Sequence, residues 1–401
     1  MSKDRVLSGM RPTGALHLGH YHGALKNWVR LQHQYECYFF VADWHALTTH
    51  YAERDVMERY VYEMVIDWLA AGLKPEHCTL FIQSRIPEHA ELFTLLAMGT
   101  PLSWLERVPT YKDQQDKLKD KDLTTYGFLG YPLLQAADIL IYKAQYVPVG
   151  EDQASHVELT RETARRFNHL YGREVDFESR VQQCLLKLGK DSAKRLDKSR
   201  KQYQESGAPE VLQGALSFIA STPLLDARER ERLQGWFRGT GQTILPEPQV
   251  LLTDASKLPG LDGAKMSKSY NNGIALREER ASIEHKVRRM PTDPARIKRS
   301  DPGQPERCPV WQFHKVYSNA DTQSWVTQGC TSAGIGCLEC KQPVIDAILA
   351  EQQPMLERAQ PYLSQPKRVH EIVQAGTERA RATARQTMRD VRAAMGLDYA
   401  G

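Results

Sequence analysis

Residues 5–23 read RVLSGMRPTGALHLGHYHG: a β-rich run, a glycine-containing turn and the start of a helical pattern. Three further β-rich runs end in glycine or polar residues: ECYFFVAD (36–43), TLFIQS (79–84) and YVPVG (146–150). Segments with helical spacing lie between these runs, such as the one from about Leu18 to His33. This alternation predicts an α/β fold with a doubly wound, Rossmann-like parallel sheet, in which ligands bind at the carboxyl ends of the strands.

Length and composition predict a globular protein of more than one domain. The chain has 401 residues, 41% of them apolar and 25% charged, and a net charge of +4. The N-terminal MSKDRVLSGM lacks the apolar run of a signal peptide, and the sequence contains no 18-residue apolar stretch. We therefore expect a cytoplasmic protein without a membrane partner. The mild positive charge is compatible with a polyanionic partner but does not demonstrate one.

The segment PTGALHLGHYHG (12–23) follows the first strand and opens a helix. Backbone N–H groups and the helix dipole favour a phosphate in that position. Gly14 and Gly19 permit close backbone approach, and His17 and His20 have the spacing that puts both rings on one side of the first turn. Taken alone, the segment is equally compatible with a polar helix start that carries surface histidines.

A second segment, GLDGAKMSKSYNN (260–272), contains two glycines and two lysines three positions apart. This glycine-flanked, positively charged segment is poorly suited to a folded core and predicts a mobile loop that carries Lys265 and Lys268. If the segment stood alone, a solvated lysine turn would be the better interpretation.

Together the two segments resemble the signatures of class I aminoacyl-tRNA synthetases: HLGH (17–20) is similar to "HIGH", and KMSKS (265–269) is identical to the second signature. Three longer stretches resemble tryptophanyl-tRNA synthetases: SGMRPTG (8–14), YPLLQAADILIY (131–142) and VPVGEDQASHVELTRETARRFN (147–168). The likeness covers residues 5–172 and 245 to the C-terminus. It leaves out the charged, helix-prone block 173–243, for which we expect two or three helices.

The resemblance implies an ATP-dependent ligase that forms tryptophanyl-adenylate and then charges tRNA(Trp), with Mg²⁺ bound to the triphosphate. The catalytic residues it implies are His17, His20, Lys112, Lys265 and Lys268. The ATP-binding residues it implies are Gly9, Arg11, Thr13, Gly19, Gly150, Asp152, Met266 and Ser267.

The helix in YPLLQAADILIY predicts the choice of amino acid. Tyr131, Gln135, Asp138 and Tyr142 lie along one face, and Pro132 suits a first helical turn. An indole offers one N–H donor, which the Asp138 carboxylate is able to accept. Without the resemblance, an amphipathic helix whose Asp138 faces water would be the better interpretation. The resemblance implies that Asp138 recognises the indole. It also implies four further residues in the L-tryptophan pocket: Tyr131, Gln135, Val149 and Gln153.

Tyrosyl-tRNA synthetase is the nearest alternative, but its phenol needs an extra tyrosine near the first strand, where this sequence has Leu7. Small nucleotidyltransferases with an H-x-G-H motif are a second alternative, although they lack the KMSKS loop together with GEDQ…ELTR. A non-enzymatic iron–sulfur or RNA-binding protein would leave the first 270 residues unexplained.

Four of the seven cysteines are close together in the spacing C-x21-C-x6-C-x2-C: Cys308, Cys330, Cys337 and Cys340. This spacing predicts a metal site, and both a four-thiolate zinc and a [4Fe–4S] cluster fit the count. The resemblance to the minority of tryptophanyl-tRNA synthetases that carry such a cluster, which includes CPVW (308–311), favours [4Fe–4S] in a structural role.

The predicted organisation is a catalytic domain (1–172 and 244–285), a helical insertion (173–243) and a helical C-terminal domain (286–401). The resemblance implies that the C-terminal domain binds the tRNA anticodon and that the protein is a homodimer. Four arginines share a face of the last predicted helix (about Val369 to Met395), and they predict either phosphate contacts or a solvated surface: Arg381, Arg385, Arg389 and Arg392.

Overall fold

The computed structural model of the protein describes residues 3–50, 57–108, 125–150, 154–173, 176–239, 241–252, 258–267 and 270–399. They divide into two compact units, each discontinuous in sequence. Unit one combines residues 1–85 with 252–379, and unit two combines residues 86–251 with 380–401. The domain bounds predicted above follow sequence character, not this packing, and stay a prediction.

The strands and helices of the described residues are numbered here in chain order. The strands are β1 (Arg5–Met10), β2 (Glu36–Val41), β3 (Cys78–Ile82), β4 (Tyr146–Val149) and β5 (Gln249–Leu252). The helices are α1 (Leu18–His20), α2 (Lys26–Leu31), α3 (Asp43–His50), α4 (Met57–Ala71), α5 (Glu88–Ala97), α6 (Leu102–Glu106), α7 (Tyr126–Ile141), α8 (Ala154–Tyr171), α9 (Phe177–Lys187), α10 (Lys190–Ser206), α11 (Pro209–Ser221), α12 (Ala227–Arg238), α13 (Arg280–Arg288), α14 (Pro309–Tyr317), α15 (Ala320–Thr331), α16 (Cys337–Ser364) and α17 (Pro366–Met395).

Three parallel strands form the sheet of unit one, in the order β3-β2-β1. Gly9 of β1 pairs with Phe40 of β2, which pairs with Phe81 of β3. Almost every residue of β2 is buried, as expected for a parallel strand with helices on both faces. Trp28 of α2 stacks on Phe39 with a centroid distance of 4.4 Å. The predicted α/β class with a parallel sheet is confirmed.

The C-terminal helices of unit one are organised around α16. This 28-residue helix packs against α4, α13 and α14. Arg358 on α16 donates from Nε to the carbonyl oxygen of Ala70 at the end of α4, at 2.7 Å. Helices α14 and α16 both start at a cysteine: Cys308 is the N-cap residue of α14, and Cys337 is the first residue of α16.

Helix α7 is the central helix of unit two, and it packs against α5 and α8. It starts at Tyr126 because Thr125 caps it, with the hydroxyl oxygen accepting from the Phe128 N–H at 3.3 Å. The expectation that Pro132 lies in a first helical turn is therefore wrong, since the proline is inside the helix. Strand β5 lies beside β4 in the sheet. The Gln249 N–H at the start of β5 donates to the Gln145 carbonyl, just before β4, at 2.8 Å.

The predicted insertion contains four helices, α9 to α12, instead of two or three. Their buried side chains form one apolar cluster: Phe177, Val181, Cys184, Leu185, Leu188, Leu196, Ala215, Ile219, Leu225, Leu233, Trp236 and Phe237. Asp226 caps α12 by accepting from the Glu229 N–H at 2.8 Å. The block therefore buries a hydrophobic cluster of its own. Among the described residues, no helix combines the length and the apolar character that crossing a bilayer requires.

Candidate active site

The two histidines of HLGH lie side by side at the start of the helical segment that follows β1. The His17 backbone N–H donates to Nδ1 of His20 at 3.2 Å, and the ring centroids are 3.7 Å apart. Because Nδ1 of His20 accepts this bond, its ring proton lies on Nε2. The ring thus presents an N–H donor near a helix N-terminus, where the backbone dipoles also favour an anion.

The HLGH segment is in direct contact with the KMSKS segment inside unit one. The Gly19 N–H donates to Sδ of Met266 at 3.3 Å, although the two residues are 247 positions apart. A Cβ on Gly19 would lie only 3.0 Å from Nδ1 of His17 and 3.3 Å from Cβ of Met266. A side chain at position 19 would therefore separate the two segments.

Asn272 holds the described part of the KMSKS loop, although the sequence analysis assigned no role to this residue. Its Oδ1 accepts from the Ser267 N–H at 2.8 Å, and its Nδ2 donates to Asp262 Oδ1 at 2.9 Å and to the Lys265 carbonyl at 3.2 Å. Asn272 is 4% exposed, whereas the Lys265 side chain points into solvent. The amide therefore anchors the loop backbone and leaves the lysine side chain at the surface.

The chain on the far side of the loop is fixed to the HLGH segment by backbone hydrogen bonds. The Leu18 N–H donates to the Ile274 carbonyl at 2.9 Å, and the Leu276 N–H donates to the Leu16 carbonyl at 2.9 Å. These two bonds flank an antiparallel bridge between His17 and Ala275. One end of the loop is thereby held in register with the HLGH segment.

A buried carboxylate adds a second connection between the same two segments. Asp67, on α4, is 1% exposed. It accepts from the Leu16 N–H at 3.0 Å and from Nε of Arg277 at 2.6 Å. Arg277 also forms an ion pair with Glu63. Sequence reasoning missed this group, because no short motif connects an aspartate in a helix with an arginine 210 positions later.

The third histidine of HLGHYHG has a different environment. His22 lies in the π-helical turn Tyr21–Leu25 and is 6% exposed. Its Nε2 is 2.9 Å from the Tyr317 hydroxyl and 3.0 Å from Oε2 of Glu351. Burial and the Glu351 carboxylate together raise the pKa of Tyr317. His22 therefore connects the helix of the first signature to α14 and α16 and is not directed at the other two histidines.

Of the predicted ATP-binding residues, Gly9 lies near the end of β1, and Arg11 and Thr13 follow the strand. A Cβ on Gly9 would overlap the ring of Phe40, so the exposed backbone at this position can carry no side chain. The Thr13 N–H donates to the Arg11 carbonyl at 2.9 Å, and Arg11 is exposed. In unit two, Gly150 is exposed directly after β4. Their contact with ATP stays a prediction.

Asp138, the predicted indole acceptor, is completely buried in unit two. Its Oδ1 is 2.6 Å from Nδ1 of His89, and Nε2 of the same histidine is 2.7 Å from the Tyr142 hydroxyl. The alternative that this aspartate faces water on an amphipathic helix is therefore wrong. His89 and Tyr142 are also completely buried.

A second buried histidine contacts the other predicted pocket residues on α7. Nδ1 of His156 is 2.7 Å from Oε1 of Gln135, and its Nε2 is 3.3 Å from the Tyr131 hydroxyl. His156 is 2% exposed and lies on α8. Val149 is partly buried at the end of β4. Four residues of the predicted site lie outside the described residues: Lys112, Asp152, Gln153 and Lys268.

The four clustered cysteines lie in unit one and are partly buried. The Cys340 Sγ is 3.4 Å from Nε2 of His314, and Nη1 of Arg296 is 3.9 Å from the Cys330 Sγ. Burial raises the pKa of the Cys340 thiol to about 12, and electrostatic interactions with Cys308, Cys330 and Cys337 contribute. The described His, Cys, Asp and Glu side chains include no group of three or more arranged to hold a single metal ion.

Three of the four predicted arginines of the last helix make ion pairs within unit two, whereas Arg389 donates to Oε1 of Gln386 on the same helix. Nε of Arg381 and Nε of Arg385 are 3.0 Å and 3.1 Å from Oε1 of Glu88. Arg392 binds Glu91 with Nη2 at 2.5 Å from Oε2. These pairs favour a structural role over phosphate binding for this face.

The comparisons with known proteins agree with the two signatures. Residues 2–202 and 229–351 match the family of class I tRNA synthetases for W and Y. The match includes parts of the block 173–243, so the expectation that this whole block lies outside the family likeness is wrong.

Two relatives and one solved structure align with nearly the whole chain. A protein of Ralstonia nicotianae named tryptophan–tRNA ligase is 65% identical over 399 residues and covers 100% of both chains. A protein of Thermotoga maritima with the same name is 43% identical over 397 residues, covering 98% of this chain and 100% of its own. The crystal structure of a Campylobacter jejuni tryptophanyl-tRNA synthetase, complexed with ADP and tryptophan, has a TM-score of 0.71 and 25% identity. It covers 98% of this chain and 100% of its own.

Proposed function

Because the chain belongs to the class I tRNA synthetases for tryptophan and tyrosine, we propose that it is a tryptophan–tRNA ligase. It activates L-tryptophan with ATP, releases pyrophosphate, and transfers the aminoacyl group to the 3′ end of tRNA(Trp). The observation that carries the proposal is the hydrogen bond from the Gly19 N–H to Met266 Sδ, because it joins the two ATP-binding signatures. The shared name of the relatives supports tryptophan over tyrosine.

The activation step depends on positioning and electrostatics. A carboxylate oxygen of tryptophan attacks the α-phosphorus of ATP, and the bond from that phosphorus to the leaving pyrophosphate oxygen breaks. No proton has to move, because the carboxylate is already ionised. His17 and His20 donate to the phosphate oxygens, and Lys112, Lys265 and Lys268 balance the charge that collects on pyrophosphate. Mg²⁺ neutralises part of the triphosphate charge when it is bound.

The remaining residues of the ATP site bind the nucleotide through backbone groups and side chains. We assign to it Gly9, Arg11, Thr13, Gly19, Gly150, Asp152, Met266 and Ser267. The exposed backbone at Gly9 supports this assignment, since the Phe40 ring below it excludes a Cβ and a nucleotide could approach closely.

Asp138 selects tryptophan by accepting the indole N–H, and the pocket includes Tyr131, Gln135, Val149 and Gln153. The complete burial of Asp138 supports this role, because a buried acceptor discriminates strongly against a ring that brings no donor. A phenol would meet a different requirement, since it both donates and accepts.

Cys308, Cys330, Cys337 and Cys340 hold a [4Fe–4S] cluster with a structural role, and zinc is the alternative. A zinc site needs four sulfurs, each about 2.3 Å from one point. The described cysteines are not arranged around a single ion. The spacing C-x21-C-x6-C-x2-C and the positions of Cys308 and Cys337 at the starts of two helices support the proposal, and the resemblance to cluster-bearing relatives favours [4Fe–4S]. Such a cluster would tie the N-terminal ends of α14 and α16 together.

The further assignments follow from the family likeness. Residues 1–172 and 244–285 form the catalytic domain, 173–243 a helical insertion, and 286–401 the domain that binds the tRNA anticodon. The protein acts in the cytoplasm as a homodimer.

Exchange of labelled pyrophosphate into ATP, measured with each of the twenty amino acids, tests the function, followed by charging of tRNA with tryptophan and with tyrosine. We expect exchange with tryptophan and charging of tRNA(Trp). Exchange that depends on tyrosine would favour a tyrosine–tRNA ligase. Exchange with no amino acid, combined with nucleotide transfer to another acceptor, would favour an H-x-G-H nucleotidyltransferase.

A further inference from the structure

We propose that His89 is the positioning residue that fixes the Asp138 carboxylate for the indole N–H, and that it thereby determines the specificity for tryptophan. This inference rests on the proposed role of Asp138. His89 itself belongs to no signature discussed above. It lies in the first turn of α5, and Asp138 is 49 positions later on α7.

The hydrogen bonds of His89 have a defined direction. An ionised carboxylate only accepts, so Nδ1 of His89 carries a proton and donates to Asp138 Oδ1 at 2.6 Å. In the neutral ring Nε2 then accepts from the Tyr142 hydroxyl, at 2.7 Å. The three side chains form one chain of donors and acceptors that ends on the carboxylate. Rotation of the carboxylate would break its bond to His89, so the direction in which it accepts a further donor is fixed.

The burial of this group increases the importance of the hydrogen bond from His89. All three side chains are completely buried, and an unsolvated carboxylate is stable only with a partner. Without the Nδ1–H donor, the carboxyl group gains stability by taking up a proton. A protonated carboxyl group is itself a donor in the place where the indole needs an acceptor. His89 therefore keeps Asp138 in the form that recognises tryptophan.

Helix α5 itself is held firmly. The preceding residue, Glu88, pairs with Arg381 and Arg385 on α17, and α5 packs along α7. These contacts place the first turn of α5 next to Asp138 independently of the His89 ring. A substitution of His89 therefore tests the hydrogen bond with the backbone of α5 still anchored.

His156 offers a matched control in the same unit. It is also a buried histidine that lies between a tyrosine hydroxyl and a polar acceptor, here Tyr131 and Gln135. The hydrogen bonds described for this ring join it to Tyr131 and Gln135. A variant of His156 should therefore disturb the pocket without changing the recognition of the indole N–H.

The experiment compares tryptophan with 3-(3-benzothienyl)alanine, in which sulfur replaces the N–H. The readout is the ratio of kcat/KM for the two amino acids in ATP–pyrophosphate exchange. His89→Asn retains an amide donor near the position of Nδ1, whereas His89→Gln retains one only near Nε2. We expect His89→Gln to lower the ratio about 10- to 100-fold, through the KM for tryptophan, with the KM for ATP unchanged. We expect His89→Asn to retain most of the ratio and His156→Gln to leave it unchanged.

An equal loss of activity with both amino acids in His89→Gln would overturn the proposal, because a merely structural role weakens both substrates alike. If His89→Gln does not fold, the ratio measured for His89→Asn keeps the proposal testable. A ratio near the wild-type value supports the proposal, and a fall as large as that expected for His89→Gln overturns it. If the wild-type protein itself uses both amino acids equally well, the role of Asp138 fails, and that result is distinguishable from a failure of His89 alone.

Discussion

Removal of the Asp67 carboxylate should destabilise unit one strongly. Asp67 is 1% exposed and accepts from the Leu16 N–H and from Arg277, whose side chain is 15% exposed. Loss of one partner from a buried ion pair costs about 3–5 kcal/mol. The unpaired Leu16 N–H costs a further ~1–3 kcal/mol, and the remaining pair of Arg277 with Glu63 offsets part of the total. We therefore expect Asp67→Ala to cost about 3–5 kcal/mol.

Thermal unfolding measures this loss directly. At about 2–4 °C per kcal/mol for a unit of this size, Asp67→Ala should lower the Tm by roughly 6–20 °C. Asp67→Asn retains an acceptor oxygen and should lose less. Glu63→Gln removes the more exposed partner of Arg277 and should cost only about 0–1 kcal/mol. Glu63→Gln is therefore the control for effects that come only from disturbing Arg277.

Substitution of Asp67 should also change the KM for ATP. Asp67 connects the residues before His17 to the residues after the KMSKS loop, so Asp67→Asn should raise the KM for ATP more than the KM for tryptophan. A Tm for Asp67→Ala within about 2 °C of the wild-type value would refute the reasoning. So would a larger effect of Glu63→Gln than of Asp67→Asn.

Three further predictions concern other parts of the molecule. Asn272→Ala should raise the KM for ATP about tenfold in pyrophosphate exchange, because the KMSKS loop loses its anchor; an unchanged KM would contradict this. Burial raises the pKa of the Glu88 carboxyl group, but the hydrogen bonds from Arg381 and Arg385 outweigh burial, so the pKa is lower than usual. The stability that the ionised Glu88 contributes is present above its unfolded pKa of about 4.5 and is lost as the pH falls through the lower folded pKa. Glu88→Gln removes this contribution. The difference in Tm between pH 7 and pH 3 should therefore be smaller in Glu88→Gln than in the wild type. Protein purified without oxygen should be brown with about four iron and four sulfide per chain, and Cys337→Ser should lose the colour; a colourless protein with one zinc would contradict the cluster.

The sequence was sufficient for features whose residues are adjacent or regularly spaced. HLGH and KMSKS carry their chemistry in a few consecutive residues, and the contact between Gly19 and Met266 agrees with their expected convergence. The strands of the parallel sheet were predicted from their apolar runs to within one or two residues. The number of helices in the insertion was underestimated, because in a sequence charged helices separated by short turns resemble fewer, longer helices.

The residues that support the site were not predictable in the same way. His89 and Asp67 act through partners 49 and 210 positions away, and neither spacing is periodic. Their function appears only when the fold brings a donor and an acceptor together in a buried place. The position of Pro132 in a first helical turn was predicted wrongly for another reason. Tertiary packing and the Thr125 cap start α7 at Tyr126, which is earlier than the local preference of proline predicts.

The most direct measurement is tryptophan-dependent pyrophosphate exchange by the wild-type protein and by His20→Ala, with tryptophan affinity measured separately. If the histidine-bearing helix start and the lysine-bearing loop enclose one ATP, His20→Ala should reduce the exchange rate about 100- to 1000-fold and leave tryptophan binding unchanged. Exchange by His20→Ala at nearly the wild-type rate would contradict the account.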